Sequence, residues 1–150
     1  MKHITKNPKE TLNLGYKFGK KLKPGNFVAL VGELGTGKTV FTKGIAKALG
    51  VKQYDYVDSP SFVILKEYTP KKGQPKHIPL YHFDLYRVKS SDDLETVGYK
   101  EYFYSKGISV VEWADRAMDA VPEEYIYVKF KHMGKNKRSI TISDTQCKTD

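Results

Sequence analysis

The chain has 150 residues, 39% hydrophobic and 29% charged, and Lys and Arg outnumber Asp and Glu by 26 to 17, a formal net charge of +9. That length suits one domain over residues 1–150, with a polar tail from about residue 144, and the composition excludes a disordered or low-complexity chain. The longest apolar run, Phe27–Val31, is too short to span a bilayer and residues 1–5 hold no apolar leader, so a cytoplasmic protein without a membrane role is expected.

The single cysteine, Cys147, excludes an intramolecular disulfide or a cysteine-based metal site. The positive charge favours a polyanionic partner such as a nucleotide or nucleic acid, although many of the lysines fall in expected loops, where solvation explains them equally well.

In chain order, Asn7-Pro8-Lys9-Glu10 predicts a helix start, with Asn7 as cap and Pro8 in the first helical position. Leu14, Phe18 and Leu22 recur every four residues until Pro24-Gly25 ends the helix. Phe27–Val31 has the uninterrupted apolar character of a strand covered on both faces. A second helix carries Phe41, Ile45, Ala48 and Leu49 on one face and stops at Gly50.

Further strands are expected over residues 62–68, 80–84, 108–112, 125–131 and 139–143, with a loop over 69–79 and a hairpin at 133–136. A helix is expected from Ser90-Ser91, carrying Leu94 and Val97. Early helices and late paired strands predict an α/β fold: a P-loop NTPase-like mixed central sheet flanked by helices, with antiparallel strands at the C-terminal edge.

Between the first of these strands and the second helix lies Gly32-Glu33-Leu34-Gly35-Thr36-Gly37-Lys38-Thr39. It matches the phosphate-loop pattern, in which glycines let backbone amides curl around phosphate and the next helix aims its positive end at the anion. Lys38 is expected to bridge the β- and γ-phosphates and the Thr39 hydroxyl to ligate magnesium.

An acid at the end of a neighbouring strand usually serves the metal or the attacking water. Asp84 and Glu112 both end predicted strands, and each alternatively caps the following turn. No Asn/Thr-Lys-x-Asp guanine clamp is present, which favours ATP over GTP. Trp113 either lies against the base or is simply a partly buried aromatic. Arg87 and Arg116 are candidate charge stabilisers or ordinary surface arginines. His3, His77, His82 and His132 lack metal-ligand spacing.

Together with Ser59-Pro60-Ser61-Phe62, His82-Phe83-Asp84-Leu85-Tyr86-Arg87 and Val111-Glu112-Trp113, the phosphate loop resembles the TsaE (YjeE) family over nearly the whole chain. The resemblance implies a small ATPase that uses ATP and magnesium. It would act with the TsaB and TsaD proteins in making N6-threonylcarbamoyladenosine in transfer RNAs that read codons beginning with adenine. Contact with tRNA would come through that complex.

By position in the family motifs, Lys38, Asp84 and Glu112 are implied to be catalytic, and Thr39 and Glu112 to serve the metal. The implied nucleotide set is Thr11, then Gly32, Glu33, Gly35, Thr36, Gly37, Lys38, Thr39 and Val40 of the loop, with Ser61, Asp84, Trp113 and Arg138. Ser61 stands where the family's switch-type loop often has threonine, and is equally readable as a turn residue. Two other readings stay open: a small-molecule kinase on the same loop, and a nucleotide-gated binding protein without turnover.

Overall fold

The computed structural model describes residues 1–60, 64–70 and 78–147, with side chains described through residue 143. Seven strands form one mixed sheet: β1 (Lys2–Thr5), β2 (Phe27–Val31), β3 (Leu65–Tyr68), β4 (Leu80–Asp84), β5 (Ile108–Glu112), β6 (Glu124–His132) and β7 (Arg138–Cys147). Their order across the sheet is β1-β7-β6-β2-β5-β4-β3. The central ladders β6/β2, β2/β5 and β5/β4 are parallel, and antiparallel strands flank them on both sides.

The central strands are fully covered because β2 and β5 carry apolar residues on both faces, as parallel strands require. Helices α1 (Pro8–Lys21) and α2 (Lys38–Ala48) pack on one face. Phe41 anchors that layer, its ring 5.3 Å from Phe18 of α1 and 5.4 Å from Phe130 of β6. Such aromatic pairs add about 0.5–1.5 kcal/mol each beyond area burial. On the opposite face Phe27, Phe83, Val111 and Leu94 form a second cluster under the short helix α3 (Tyr99–Phe103) and two 3-10 segments, Ser91–Val97 and Ala114–Ala120.

The two long helices approach closely because glycine faces glycine. A Cβ on Gly15 would lie 2.2 Å from the Phe41 carbonyl oxygen, and one on Gly44 would lie 2.2 Å from that of Leu12. Backbone stands against backbone at both places, so no side chain can move aside.

The start of α1 is as the sequence predicts. The Asn7 side chain accepts from the Glu10 amide at 2.8 Å, and Glu10 reaches back to accept from the Lys6 amide at 3.0 Å, a reciprocal cap. Three expectations differ. The segment from Ser91 is a 3-10 turn rather than a full helix, since Ser90 makes no side-chain cap and Gly98 in a left-handed conformation ends it. Residues 62 and 63 of the expected strand 62–68 lie outside the described residues, and pairing begins at Leu65. Strand β7 continues to Cys147, past the expected start of the polar tail, because its backbone still pairs with Tyr125 and Glu124. No described helix is long and apolar enough to cross a membrane.

Candidate functional site

The carboxyl ends of β2, β4 and β5 meet the N-terminus of α2 at a cavity of about 320 Å³. In open α/β sheets this edge is where ligands bind. The loop from β2 to α2 can fold there because Gly35 and Gly37 take left-handed φ values of 74° and 99°. Gly32 is needed for another reason: a Cβ there would lie 2.7 Å from the Phe130 carbonyl oxygen of β6.

Lys38, the first residue of α2, is buried, and its ammonium donates to the Gly32 carbonyl at 2.5 Å and the Glu33 carbonyl at 2.8 Å. The loop's own oxygens thus hold the charge at its centre. Burial pushes this lysine below its usual pKa, and the carboxylates of Glu112, Asp84 and Asp115 oppose that shift.

Thr39 directs its hydroxyl at Glu112, with 3.0 and 3.2 Å to the two carboxylate oxygens. Glu112 is itself buried, and its Oε2 lies 2.5 Å from Nε2 of a fully buried His82 on β4. Asp84 is the register partner of Glu112 on the adjacent parallel strand. Its Oδ1 accepts from the Tyr86 amide at 2.8 Å and its Oδ2 from the Ser59 hydroxyl. The Asp84 amide donates to the Ile64 carbonyl at 2.9 Å, so one strand end holds the chain at both Ser59 and Ile64. Asp84 therefore caps its own turn and also faces the cavity.

Trp113 leaves β5 in a left-handed conformation, φ 59°, and its ring lies 4.4 Å from the Lys38 ammonium. Tyr86 and the Arg116 guanidinium pack on the same indole at 5.0 and 5.3 Å. The ring thus stands beside the lysine at the start of α2.

Across the cavity, Arg138 donates to the Gly35 carbonyl at 3.2 Å and ties the β6–β7 hairpin to the loop. Thr11 is buried, shares a 2.8 Å hydrogen bond with the Thr5 hydroxyl, and presents its methyl to Gly37.

Of the residues singled out in the sequence, Thr11, Gly35, Thr36, Gly37, Lys38, Thr39, Val40, Asp84, Glu112, Trp113 and Arg138 line this one cavity. Gly32 and Glu33 stand behind it as carbonyl acceptors for Lys38. Ser61 lies outside the described residues. Among the described residues Arg116 joins the cluster through Trp113 and Tyr86.

Sequence reasoning missed four groups. Asn7 and Pro8 line the cavity from the start of α1, and Asn136 does so from the hairpin. These become visible only when the sheet brings β7 beside β6. The fourth, His82, does leave a trace in sequence: it alternates with Asp84 along an otherwise apolar strand, and a polar side chain on a buried strand needs a partner.

The Thr39 hydroxyl meets the Glu112 carboxylate, and Asp84 and Ser59 line the same cavity; these are oxygen groups, the hard donors that magnesium prefers. Among the described residues no three His, Cys, Asp or Glu side chains form a cluster able to hold a metal alone. A magnesium ion shared between Thr39, the acids and the phosphates of a nucleotide fits this set, because magnesium is usually bound by one or two protein groups plus substrate phosphates.

Residues 5–140 match the family described as Threonylcarbamoyl adenosine biosynthesis protein TsaE. The protein of that name from Bacillus subtilis is 39% identical over 143 residues, covering 95% of this chain and 85% of the relative. The one from Treponema pallidum is 32% identical, covering 95% of this chain and 100% of the relative. The crystal structure of Bacillus subtilis YdiB superposes with a TM-score of 0.76 at 35% identity, over 99% of this chain and 86% of that one.

Proposed function

The chain belongs to the TsaE family of tRNA threonylcarbamoyladenosine biosynthesis proteins, and on that premise we propose that it is a magnesium-dependent ATPase supporting TsaB and TsaD in that modification. The observation that carries this reading is the Thr39–Glu112 hydrogen bond beside Lys38. A hydroxyl that gives its proton to a carboxylate presents its lone pairs to a cation, and here it does so at the helix N-terminus where phosphates would lie.

On this reading Lys38 exchanges the carbonyls of Gly32 and Glu33 for the β- and γ-phosphate oxygens. The amides of residues 35–39 cradle the anion, and Arg138 and Thr11 hold the loop from two sides. Asp84 stands where an attacking water would be oriented. Magnesium, when bound, neutralises phosphate charge. Asn7, Pro8 and Asn136, which also line the cavity, are the groups left to meet the adenosine. Hydrolysis by the isolated chain is slow, because transition-state charge is left for partner groups to complete. The protein works in the cytoplasm, where the tRNA to be modified is, and meets tRNA through the complex with TsaB and TsaD.

The test is reconstitution. Modification of a suitable tRNA is run with TsaB, TsaD, threonylcarbamoyl-adenylate and ATP, and product is counted per TsaD with and without this protein. Several turnovers only in its presence, lost in Lys38→Ala, support the ATPase reading. Equal product in both samples sinks it. Turnover supported by a non-hydrolysable ATP analogue would instead select the nucleotide-gated binder.

A further inference from the structure

We infer that His82 is a positioning residue for the cation site: it holds Glu112 in the orientation that receives the Thr39 proton, and so makes nucleotide binding magnesium-responsive. The inference deepens the nucleotide-binding reading above and rests on it.

His82 is fully buried in β4, and its only hydrogen-bond partner among the described residues is Glu112 Oε2, at 2.5 Å from Nε2. Its other ring nitrogen, Nδ1, is buried and has no partner among the described residues. A carboxylate oxygen accepts, so Nε2 carries the proton and donates it. A histidine kept for packing alone would be replaced at less cost by an apolar ring, since a buried polar atom without a partner is destabilising. The unsatisfied Nδ1 is therefore tolerated for the sake of the one bond His82 makes.

That bond matters because of what surrounds Glu112. The carboxylate lies between the Thr39 hydroxyl and the His82 ring, and Asp84 is its neighbour across the ladder. Two adjacent carboxylates repel. Without a donor behind it, Glu112 is free to rotate away from Asp84, and the Thr39 hydroxyl then loses its acceptor and the orientation of its lone pairs. His82 never faces the nucleotide itself; it acts through Glu112, as outer partners act on metal-binding groups.

Glutamine and asparagine separate this role from a packing role. Gln can carry its amide nitrogen to where Nε2 lies, whereas Asn places it near Nδ1, short of Glu112. The full-length protein and its His82→Asn and His82→Gln variants are titrated with ADP, once with excess magnesium and once with EDTA, by calorimetry. In the wild type magnesium tightens binding. In His82→Asn that magnesium-dependent gain falls about tenfold or more, while binding in EDTA is unchanged because the phosphate loop is untouched. His82→Gln restores most of the gain although it shares the loss of the ring.

A full magnesium gain in His82→Asn overturns the positioning role. So does equal weakening with and without magnesium in both variants, which would mark a structural residue. A wild type that binds ADP no better with magnesium overturns the metal-dependent reading itself, and the positioning role with it.

Discussion

Asp84 stands directly across the parallel β4–β5 ladder from Glu112, so two buried carboxylates open onto one cavity from adjacent strand ends. Their fields converge on Lys38, whose pKa is lowered by burial and partly restored by these acids, Glu112 foremost among them.

The sign of the consequence follows. Phosphate binding needs the lysine charged, and Glu112→Gln or Asp84→Asn removes a charge that raises the Lys38 pKa. Affinity for metal-free ADP should therefore fail at a lower pH in either variant than in the wild type, with the larger displacement for Glu112→Gln. Superimposable pH profiles would mean that the acids do not act on Lys38.

Because the Lys38 ammonium sits 4.4 Å from the indole of Trp113, a nucleotide that draws the lysine onto its phosphates must change the surroundings of the single tryptophan. Emission should shift on adding ADP. In Lys38→Met the apo spectrum should already differ from that of the wild type, and ADP should leave it unaltered. An ADP response that survives in Lys38→Met would place the base, and not the lysine, against the ring.

The contact of α1 with α2 makes a prediction that runs against helix propensity. Alanine is about 1 kcal/mol more favourable than glycine inside a helix, yet a methyl on Gly44 would enter the backbone of Leu12 and Tyr16. Overpacking of this kind costs about 1–3 kcal/mol, and here the obstacle is main chain. Gly44→Ala should lower the melting temperature by several degrees, at roughly 2–4 °C per kcal/mol for a domain of this size. A melting temperature equal to or above the wild type would show that the helices can separate freely.

The central strands and the phosphate loop were legible because each is coded locally. Leu80–Asp84 and Ile108–Glu112 are short apolar runs closed by an acid, and their observed bounds match the expected ones. Features defined by distant partners were not legible. Strand β1 has one apolar residue among four and exists because it pairs with β7. Gly15 and Gly44 gave no signal to a reading based on apolar spacing, since what they contribute is the absence of a side chain. His82 is intermediate: its alternation with Asp84 marks it as a buried polar residue, but only the fold shows that its partner is Glu112 on another strand.

That outermost pairing also bears on the order of events during synthesis. Strand β1 is made before the other six strands, and its one neighbour among the described strands, β7, is made after all of them. On the ribosome the N-terminal residues leave the exit tunnel with nothing to pair with, and β6 presents an open edge until the hairpin turns back. Thr5, which braces Thr11 beneath the phosphate loop, is locked in only when β7 closes against it. A nascent chain halted before residue 138 would therefore carry the whole glycine-rich loop and still lack the β7 pairing that holds Thr5 against Thr11.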